Sequence, residues 1–157
     1  MQPIIYLDYP LEKQLLIDHA ASVEDKGTYG QHKDHPDWNN DYWKDYKFES
    51  NVTDKLIKDF ELQDARPRYY WLPANITLEQ HTDDETTCSL NFALSDRYAP
   101  VTIGDNNYMY KQCLLNTTVP HGVVNGNRKR VLLKISIFGE SYESLAKRIK
   151  YAAATGN

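Results

Sequence analysis

Three residues of the sequence, His81, Asp83 and His121, have the chemistry and the spacing to hold a divalent metal ion together. His81 and Asp83 stand two positions apart at the end of a strand-like stretch, so both point to one side of a strand, with Cα atoms about 6.5–7 Å apart. Two side chains can converge on one ion without completing its coordination sphere. His121, at the start of an apolar segment, is the best candidate for the third ligand. Two imidazoles and one carboxylate with open positions opposite are typical of non-haem Fe(II) sites.

The sequence after His121 predicts a hairpin that brings a guanidinium to the same site. The Asn-Gly pair at 125–126 favours a two-residue type I′ turn, and pairing across it sets Arg130 opposite His121. Opposed residues of an antiparallel ladder project to the same face. A three-residue loop would present Lys129 instead, and Arg128 shares the parity of Arg130. A guanidinium beside a metal centre suits bidentate capture of a carboxylate.

This combination of residues resembles the Fe(II)/2-oxoglutarate-dependent oxygenases. The motif is His81-Thr82-Asp83, then His121 forty residues after His81, and then Arg130 nine residues later at the start of an apolar strand. The likeness covers roughly residues 66–138. It is greatest to small prolyl-hydroxylase-like and aspartyl/asparaginyl-hydroxylase-like members, including compact members encoded by phages.

The resemblance implies a complete set of cofactors and roles. The two histidines and Asp83 would hold Fe(II), and Arg130 would bind the distal carboxylate of the cosubstrate 2-oxoglutarate. With O₂, such an enzyme hydroxylates a C–H of a small molecule or of an amino-acid residue, prolyl or similar, and releases succinate and CO₂. The weaker candidates to line the cosubstrate pocket, where the family often places a hydroxyl or an amide, are Asn91, Ser89 and Tyr70. Asn116 is a further candidate, with a turn role as the alternative.

Each residue of this set also has an ordinary structural interpretation. His81 could be a polar strand residue, Asp83 a solvated turn residue, His121 a strand cap and Arg130 the basic residue of a hairpin. The agreement of the strand parities favours the common site. Two other functions stay open at this point: a metal-binding cupin of another activity that does not use 2-oxoglutarate, and a non-catalytic binding module of the phage type.

The elements that must position these residues are mainly strands. From Arg66 onward the period of the apolar residues changes from about 3.6 to 2, and several strands follow, each with one apolar and one mixed face. Every candidate site residue lies on a mixed face. The apolar faces of two strands carry Cys88, Leu90, Phe92 and Leu94, and Val131, Leu133, Ile135 and Ile137.

The pattern predicts a mainly β fold, a jelly roll or sandwich, whose apolar face is covered by helices. Two N-terminal helices are expected over residues 10–22 and 53–62, the second with Thr53 as its N-cap. Ser141 is expected to cap a last helix. The family resemblance implies, more narrowly, a double-stranded β-helix of the cupin kind backed by the N-terminal helices.

The length of 157 residues indicates one domain. We expect helical support and an aromatic loop over residues 1–65, a β core over 66–138 and a C-terminal helix over 141–153. Residues 25–50 are dense in aromatic side chains and predict either one wall of the substrate mouth or a cover for the sheet. His32 and His35 within this segment are expected to be solvated rather than a second metal site.

Composition excludes some partners and compartments. The formal charge of −4 has no concentrated basic stripe, which argues against a nucleic-acid partner. The family resemblance implies a small-molecule or peptidyl substrate. The sequence contains no apolar run of 18 residues, so we expect no membrane span. The first residues lack a signal-peptide pattern. We therefore expect a cytoplasmic protein, in the host cytoplasm if it is phage-encoded. Cys88 and Cys113 are expected to be reduced core thiols.

Overall fold

The computed structural model describes residues 2–31, 39–83 and 85–155, so His32 and His35 lie outside the described residues. Three α-helices and eleven strands run through these ranges. The helices are α1 (Lys13–Val23), α2 (Asn51–Asp59) and α3 (Tyr142–Thr155), and a 3₁₀ turn at Glu24–Lys26 follows α1. The strands are β1 (Ile4–Tyr6), β2 (Thr28–Gln31), β3 (Asn39–Lys47), β4 (Ala65–Leu72), β5 (Thr77–His81), β6 (Cys88–Ala93), β7 (Val101–Ile103), β8 (Asn106–Tyr108), β9 (Gln112–Leu115), β10 (His121–Val124) and β11 (Arg130–Ile137).

The strands form two antiparallel sheets that face each other. The larger sheet has the order β1-β9-β6-β11-β4-β3-β2, and the smaller has the order β5-β10-β7-β8. From β5 onward the chain alternates between them, because β6, β9 and β11 belong to the larger sheet and the segments between belong to the smaller. This alternation is that of a jelly roll, and it confirms the predicted mainly β fold with flanking helices.

The hydrophobic core lies on the face of the larger sheet that is turned away from the smaller one. The alternate apolar residues predicted for β6 and β11 are there, as are side chains from all three helices. The main contributors are Leu16, Ala20, Leu56, Tyr69, Phe92, Leu133, Ile135, Tyr142 and Leu145. Fully burying a large apolar side chain stabilises the fold by about 1.5–3 kcal/mol. The helices therefore anchor this sheet and leave its other face free to build a site.

The N-terminal segment contributes strands as well as helices. β1 pairs with β9 at one edge of the larger sheet, and β3 pairs with β4 near the other. Two of the aromatic side chains expected in this segment lie on opposite faces of the larger sheet, and a role in the substrate mouth stays a prediction. Trp43 lines the space between the sheets, whereas Phe48 stacks on Tyr69 at a centroid distance of 4.0 Å on the helical side.

Side-chain caps mark the N-termini of α2 and α3. The prediction of Thr53 as the N-cap of α2 is wrong, because Ser50 has that place: its Oγ accepts a hydrogen bond from the Thr53 amide, and Thr53 Oγ1 accepts one from the Ser50 amide. Thr53 is thus the second partner of a capping box. The cap predicted for α3 is confirmed, since Ser141 Oγ accepts a hydrogen bond from the Ser144 amide at 3.1 Å.

The predicted hairpin after His121 is wrong. β10 pairs with β5 and β7 in the smaller sheet, whereas β11 pairs with β4 and β6 in the larger one. Neither Asn125 nor Gly126 has the positive φ that a type I′ turn requires. The buried Asn125 amide donates instead to the carbonyls of Leu72, Pro73 and Arg128, and so fixes a crossing between the sheets.

Two simpler expectations can be compared with the structure directly. Cys88 and Cys113 are both free and buried, as predicted, and burial raises the pKa of the Cys88 thiol to about 11. Across residues 2–31, 39–83 and 85–155, no helix has the length and apolar character needed to cross a membrane.

Candidate metal centre

Neighbouring strands of the smaller sheet bring the two histidines together. His81 ends β5 and His121 begins β10, and the two residues are partners in the antiparallel ladder, with ring centroids 4.7 Å apart. Asp83 follows β5, where its backbone amide donates to the Thr117 carbonyl. One ligand atom from each of the three residues lies within 4.8 Å of the other two. The structure therefore brings together the triad that the spacing predicted.

Backbone hydrogen bonds orient both imidazole rings. Nδ1 of His81 lies 2.8 Å from the Glu79 carbonyl, and Nδ1 of His121 lies 2.8 Å from the Val119 carbonyl. Because a carbonyl oxygen can only accept, each Nδ1 carries the hydrogen and each neutral ring has its lone pair on Nε2. Both Nε2 atoms face Asp83 Oδ1, at 3.3 and 3.2 Å.

This donor set fits a divalent metal ion. With neutral imidazoles, two nitrogen lone pairs and a carboxylate oxygen face one another, and a cation between them removes their mutual repulsion. Outer hydrogen bonds that fix the ring orientation are usual for histidines that ligate metals. Two imidazoles and one carboxylate are also the ligands of the facial triad, which leaves open positions for other molecules.

The protonation equilibria of the triad reflect its crowding. Burial alone would raise the pKa of the Asp83 carboxyl. The Lys134 ammonium, together with the hydrogen bonds that an imidazole protonated on Nε2 donates to Asp83, outweighs burial and holds that pKa well below its usual value. The hydrogen bond with Asp83 raises the pKa of His81, although burial opposes it. Asp83 is therefore an anion at neutral pH.

Gly122 permits the close approach of β10 to β5. A Cβ atom at this position would lie 2.5 Å from the Leu78 carbonyl oxygen and 2.9 Å from the Gln80 amide nitrogen. The ladder register also shifts between His121 and Val123, as at a β-bulge. Only glycine therefore allows this approach without moving β5, and sequence reasoning did not identify it.

A cavity of about 920 Å³ separates the two sheets and holds the triad. Arg130 lines it from β11, with 4% of its surface exposed. Its guanidinium donates to the Ala99 carbonyl and, at 2.7 Å, to the Tyr110 hydroxyl. Arg128 is exposed and lines a separate small cleft. Arg130 thus shares the cavity with the triad, and Arg128 does not.

Tyr110 is a cavity residue that sequence reasoning missed. Its hydroxyl oxygen accepts hydrogen bonds from Arg130 and, at 3.3 Å, from Asn91 Nδ2, so its own hydrogen is available to another acceptor. Ser89 Oγ donates to Asn91 Oδ1 at 2.9 Å and lies behind Asn91, away from the cavity wall. Arg130, Tyr110 and Asn91 together form one end of the cavity, which we call the anion end because a buried guanidinium can pair with an anion. One tyrosine among twelve carries no spacing signal that distinguishes it.

Lys134 is the second residue that was missed, although its parity already placed it on the mixed face of β11. Its Nζ lies 2.6 Å from Asp83 Oδ2 and 5.5 Å from the centre of the Tyr70 ring. Coulombic attraction to Asp83 outweighs burial and raises the pKa of Lys134. Tyr70 lines the cavity, and its predicted contact with the cosubstrate stays a prediction. Asn116 instead accepts hydrogen bonds from Thr118, which is the turn role.

On the side of β11 that is opposite to β6, residues of β4 and β3 line the cavity. The Trp43 and Tyr70 rings lie against each other at 5.3 Å, and Arg68 reaches Asp45 at 3.5 Å. Burial raises the pKa of Asp45, against the attraction of Arg68. This side therefore offers an aromatic surface beside a charged pair.

No protein-family model and no curated protein matches the chain in sequence. Solved structures do match it. A prolyl-4-hydroxylase from Pseudomonas putida aligns with a TM-score of 0.61 at 13% identity, over 87% of this chain and 92% of that one. The viral collagen prolyl hydroxylase of Paramecium bursaria Chlorella virus-1, solved as a 2OG complex, aligns with a TM-score of 0.60 at 11% identity, over 87% and 96%.

A third match is an oxidoreductase of the 2OG-Fe(II) oxygenase family from Burkholderia pseudomallei, with a TM-score of 0.54 at 9% identity, over 85% of this chain and 83% of that one. Sequence identities this low establish a shared fold. The chain has the double-stranded β-helix fold of the prolyl-4-hydroxylases and of the 2OG-Fe(II) oxygenases, as its sequence resemblance implied.

Proposed function

We propose that the protein is an Fe(II)/2-oxoglutarate-dependent dioxygenase that hydroxylates a C–H bond of a small molecule or of an amino-acid residue. The observation that carries this proposal is the convergence of His81 Nε2, His121 Nε2 and Asp83 Oδ1 in one cavity. The same cavity contains a buried guanidinium at its anion end. The fold shared with prolyl-4-hydroxylases gives independent support.

The triad would hold Fe(II), with Asp83 as the single anionic ligand. Bound iron and 2-oxoglutarate supply the oxidising chemistry, in which O₂ is consumed, succinate and CO₂ are released and a substrate C–H is hydroxylated. The chain supplies the geometry. The Glu79 and Val119 carbonyls fix each ring so that the protonated Nδ1 points away from the metal and Nε2 points towards it.

The anion end would hold the distal carboxylate of 2-oxoglutarate. Arg130 is oriented by its bonds to Ala99 and Tyr110, so little side-chain entropy is lost when it binds an anion. The Tyr110 hydroxyl offers a second donor, because both of its observed bonds are accepted by its oxygen. A charge-assisted hydrogen bond of this kind contributes about 1.5–3 kcal/mol. Asn91 and, behind it, Ser89 orient Tyr110 rather than the cosubstrate.

The substrate would enter on the side of Trp43 and Tyr70. An aromatic surface beside the Arg68–Asp45 pair suits an amphipathic group such as a prolyl or another amino-acid residue. Two of the similar structures are hydroxylases of prolyl residues, which supports this substrate class. A viral or phage origin is compatible with the likeness to a viral hydroxylase, and a cytoplasmic location stays part of the proposal.

Anaerobic titration tests this function directly. Fe(II) and 2-oxoglutarate added together are expected to give a visible charge-transfer band that neither gives alone. On admission of air, succinate is expected to form, and a screen of prolyl peptides and free amino acids by succinate release would identify the substrate. A protein that binds Fe(II) without a 2-oxoglutarate-dependent band would contradict the proposal.

A metal-dependent lyase is the second candidate function. A DMSP lyase from Ruegeria pomeroyi aligns with a TM-score of 0.53 at 11% identity, over 87% of this chain and 76% of that one. A metal-binding cupin that does not use 2-oxoglutarate would need the triad but not the anion end. Turnover that is independent of 2-oxoglutarate and O₂ would favour it, as would unchanged activity after the substitution Arg130→Ala.

A further inference from the structure

The two oxygens of the Asp83 carboxylate have different partners: one pairs with Lys134 and the other faces the two histidines. Its Nζ lies 2.6 Å from Oδ2, while Oδ1 faces both imidazole Nε2 atoms. The Lys134 side chain is only 15% exposed and the Asp83 side chain only 14%, so this pair is poorly screened by water. The positive charge of Lys134 is therefore held against Asp83 Oδ2, whereas Oδ1 of the same carboxylate belongs to the metal triad.

The charge of Lys134 has opposite consequences for the two molecules that the cavity is proposed to bind. It repels a divalent metal ion at the triad, and it attracts a dianion such as 2-oxoglutarate. Repulsion between a single and a double charge a few ångströms apart, at the effective dielectric of protein sites, corresponds to more than about a hundredfold in affinity. Loss of an outer hydrogen bond to a metal ligand typically changes affinity by about 10–100-fold. The repulsion is thus the larger of the two effects.

We propose that Lys134 is a positioning residue that weakens binding of the metal alone and makes tight metal binding depend on the dianionic cosubstrate. It holds Asp83 as a one-oxygen ligand through Oδ2, and it stabilises the metal-free site by pairing with the buried carboxylate. When the cosubstrate is bound, its negative charge compensates both Lys134 and Arg130. The inference rests on the proposed function and adds a coupling between its two ligands.

The coupling can be measured without turnover. Mn²⁺ is a suitable probe, because the free aqueous ion gives an electron paramagnetic resonance signal that is lost on binding. The dissociation constant of Mn²⁺ is measured with and without saturating 2-oxoglutarate, and the ratio of the two values is the coupling factor. For the wild-type protein we expect a ratio of at least about tenfold.

Four variants separate charge from hydrogen bonding. Lys134→Met removes both, Lys134→Gln removes the charge and keeps a donor for Asp83, and Lys134→Arg keeps the charge. Lys129→Met is the matched control, because Lys129 is an exposed lysine that pairs with Glu24 away from the cavity. Thermal unfolding verifies that each variant is folded before the titrations.

We expect both neutral variants to bind Mn²⁺ alone at least about tenfold more tightly than the wild type and to lose most of the coupling. Lys134→Arg and Lys129→Met should retain wild-type values. Mn²⁺ affinity that is unchanged or weaker in Lys134→Gln, or a wild-type ratio near one, would overturn the role of Lys134. If neither neutral variant folds, a wild-type ratio near one still overturns the coupling.

The Mn²⁺ titrations distinguish failure of the proposed function from failure of the coupling. A wild-type protein that bound no Mn²⁺ at all would overturn the metal centre itself. Wild-type binding with equal affinity in Lys134→Gln would leave the metal centre intact and remove only the coupling.

Discussion

The metal triad and the anion end of the cavity are held in place in different ways. The triad depends on backbone geometry: ladder partners of β5 and β10, an i and i+2 spacing, and carbonyls that fix the rings. The anion end depends on side chains from distant parts of the chain, as Arg130, Tyr110 and Asn91 come from three separate segments. Local spacing can therefore reveal the pair His81 and Asp83, whereas the hydrogen bonds that join Arg130 and Asn91 to Tyr110 appear only in the folded chain.

The largest expected effect is at the triad. Asp83→Ala should lower 2-oxoglutarate-dependent succinate formation by about a thousandfold or more, because the only anionic ligand is lost. It also leaves Lys134 largely buried without its partner, which should lower the free energy of unfolding by about 3–5 kcal/mol. Succinate assays and urea unfolding measure the two effects.

A double variant separates the two losses at Asp83. Asp83→Ala combined with Lys134→Met should recover most of the stability, because no unpaired charge is left, but should recover no turnover. Recovery of turnover in the double variant would contradict the assignment of Asp83 as a ligand.

Arg130→Ala should act on the opposite end. Two hydrogen bonds to a carboxylate are lost, so the KM for 2-oxoglutarate should rise by about 100-fold, while the Mn²⁺ dissociation constant stays within about threefold. Arg128→Ala is the matched control, because Arg128 is exposed outside the cavity. If Arg128→Ala raised the KM instead, the anion end would be wrongly assigned.

Gly122→Ala should weaken the triad without removing any ligand. The new methyl group overlaps the Leu78 carbonyl, so β5 and β10 must separate, at a cost of about 1–3 kcal/mol in the free energy of unfolding. Mn²⁺ affinity should fall by about tenfold or more. At Gly126 an added Cβ meets no atom within 4 Å, so Gly126→Ala should leave both quantities unchanged.

The smallest expected effect is that of pH. A proton on His81 Nε2 competes with the metal, and hydrogen bonding to Asp83 raises the pKa of His81 above its ordinary value of 6.5. Mn²⁺ affinity should therefore rise by up to about tenfold per pH unit until the pH exceeds that raised pKa, and then level off.

The free energy of unfolding of the metal-free protein should fall as the pH rises through neutrality, whereas metal affinity rises. A raised pKa in the folded state means that protonated His81 contributes stability at low pH, which is lost as the pH rises through the folded-state pKa. Asp83 has the opposite effect on stability, but only in strong acid. Its folded-state pKa is lowered, so the stability that the ionised carboxylate contributes is lost as the pH falls through that pKa. Urea unfolding of wild type and His81→Gln across this range measures the difference.

The alternation of apolar and polar residues predicted much of the fold, because one face of the larger sheet packs in the core and the other face lines the cavity. Leu133 and Ile135 pack in the core, and Lys134, between them in sequence, faces Asn91 across the ladder on the cavity side. The same parity explains why Arg130 lies in the cavity although the predicted hairpin does not form. The prediction reached Arg130 through a hairpin register that does not form, and the alternation within β11 leads to the same residue by a different route.

The rest of the site could not be predicted because long-range packing decides it. Asn125-Gly126 is a turn signal in isolation, but the Asn125 amide gains three carbonyl partners by crossing between the sheets. Tyr110 meets Arg130 only because β9 and β11 both flank β6. Similarly, the i+2 spacing found Asp83 but contained no information on its partner Lys134.

The crossing fixed by Asn125 has a consequence for redesign of this chain. Residues 125–129 form the short connection between β10, which begins with His121, and β11, which begins with Arg130. We therefore expect the length of this connection to affect the distance between the triad and the anion end. Insertions there would be expected to change how long a cosubstrate fits, whereas the turn at Gly104, which joins β7 to β8 at the sheet edge, could accept a graft without disturbing that span.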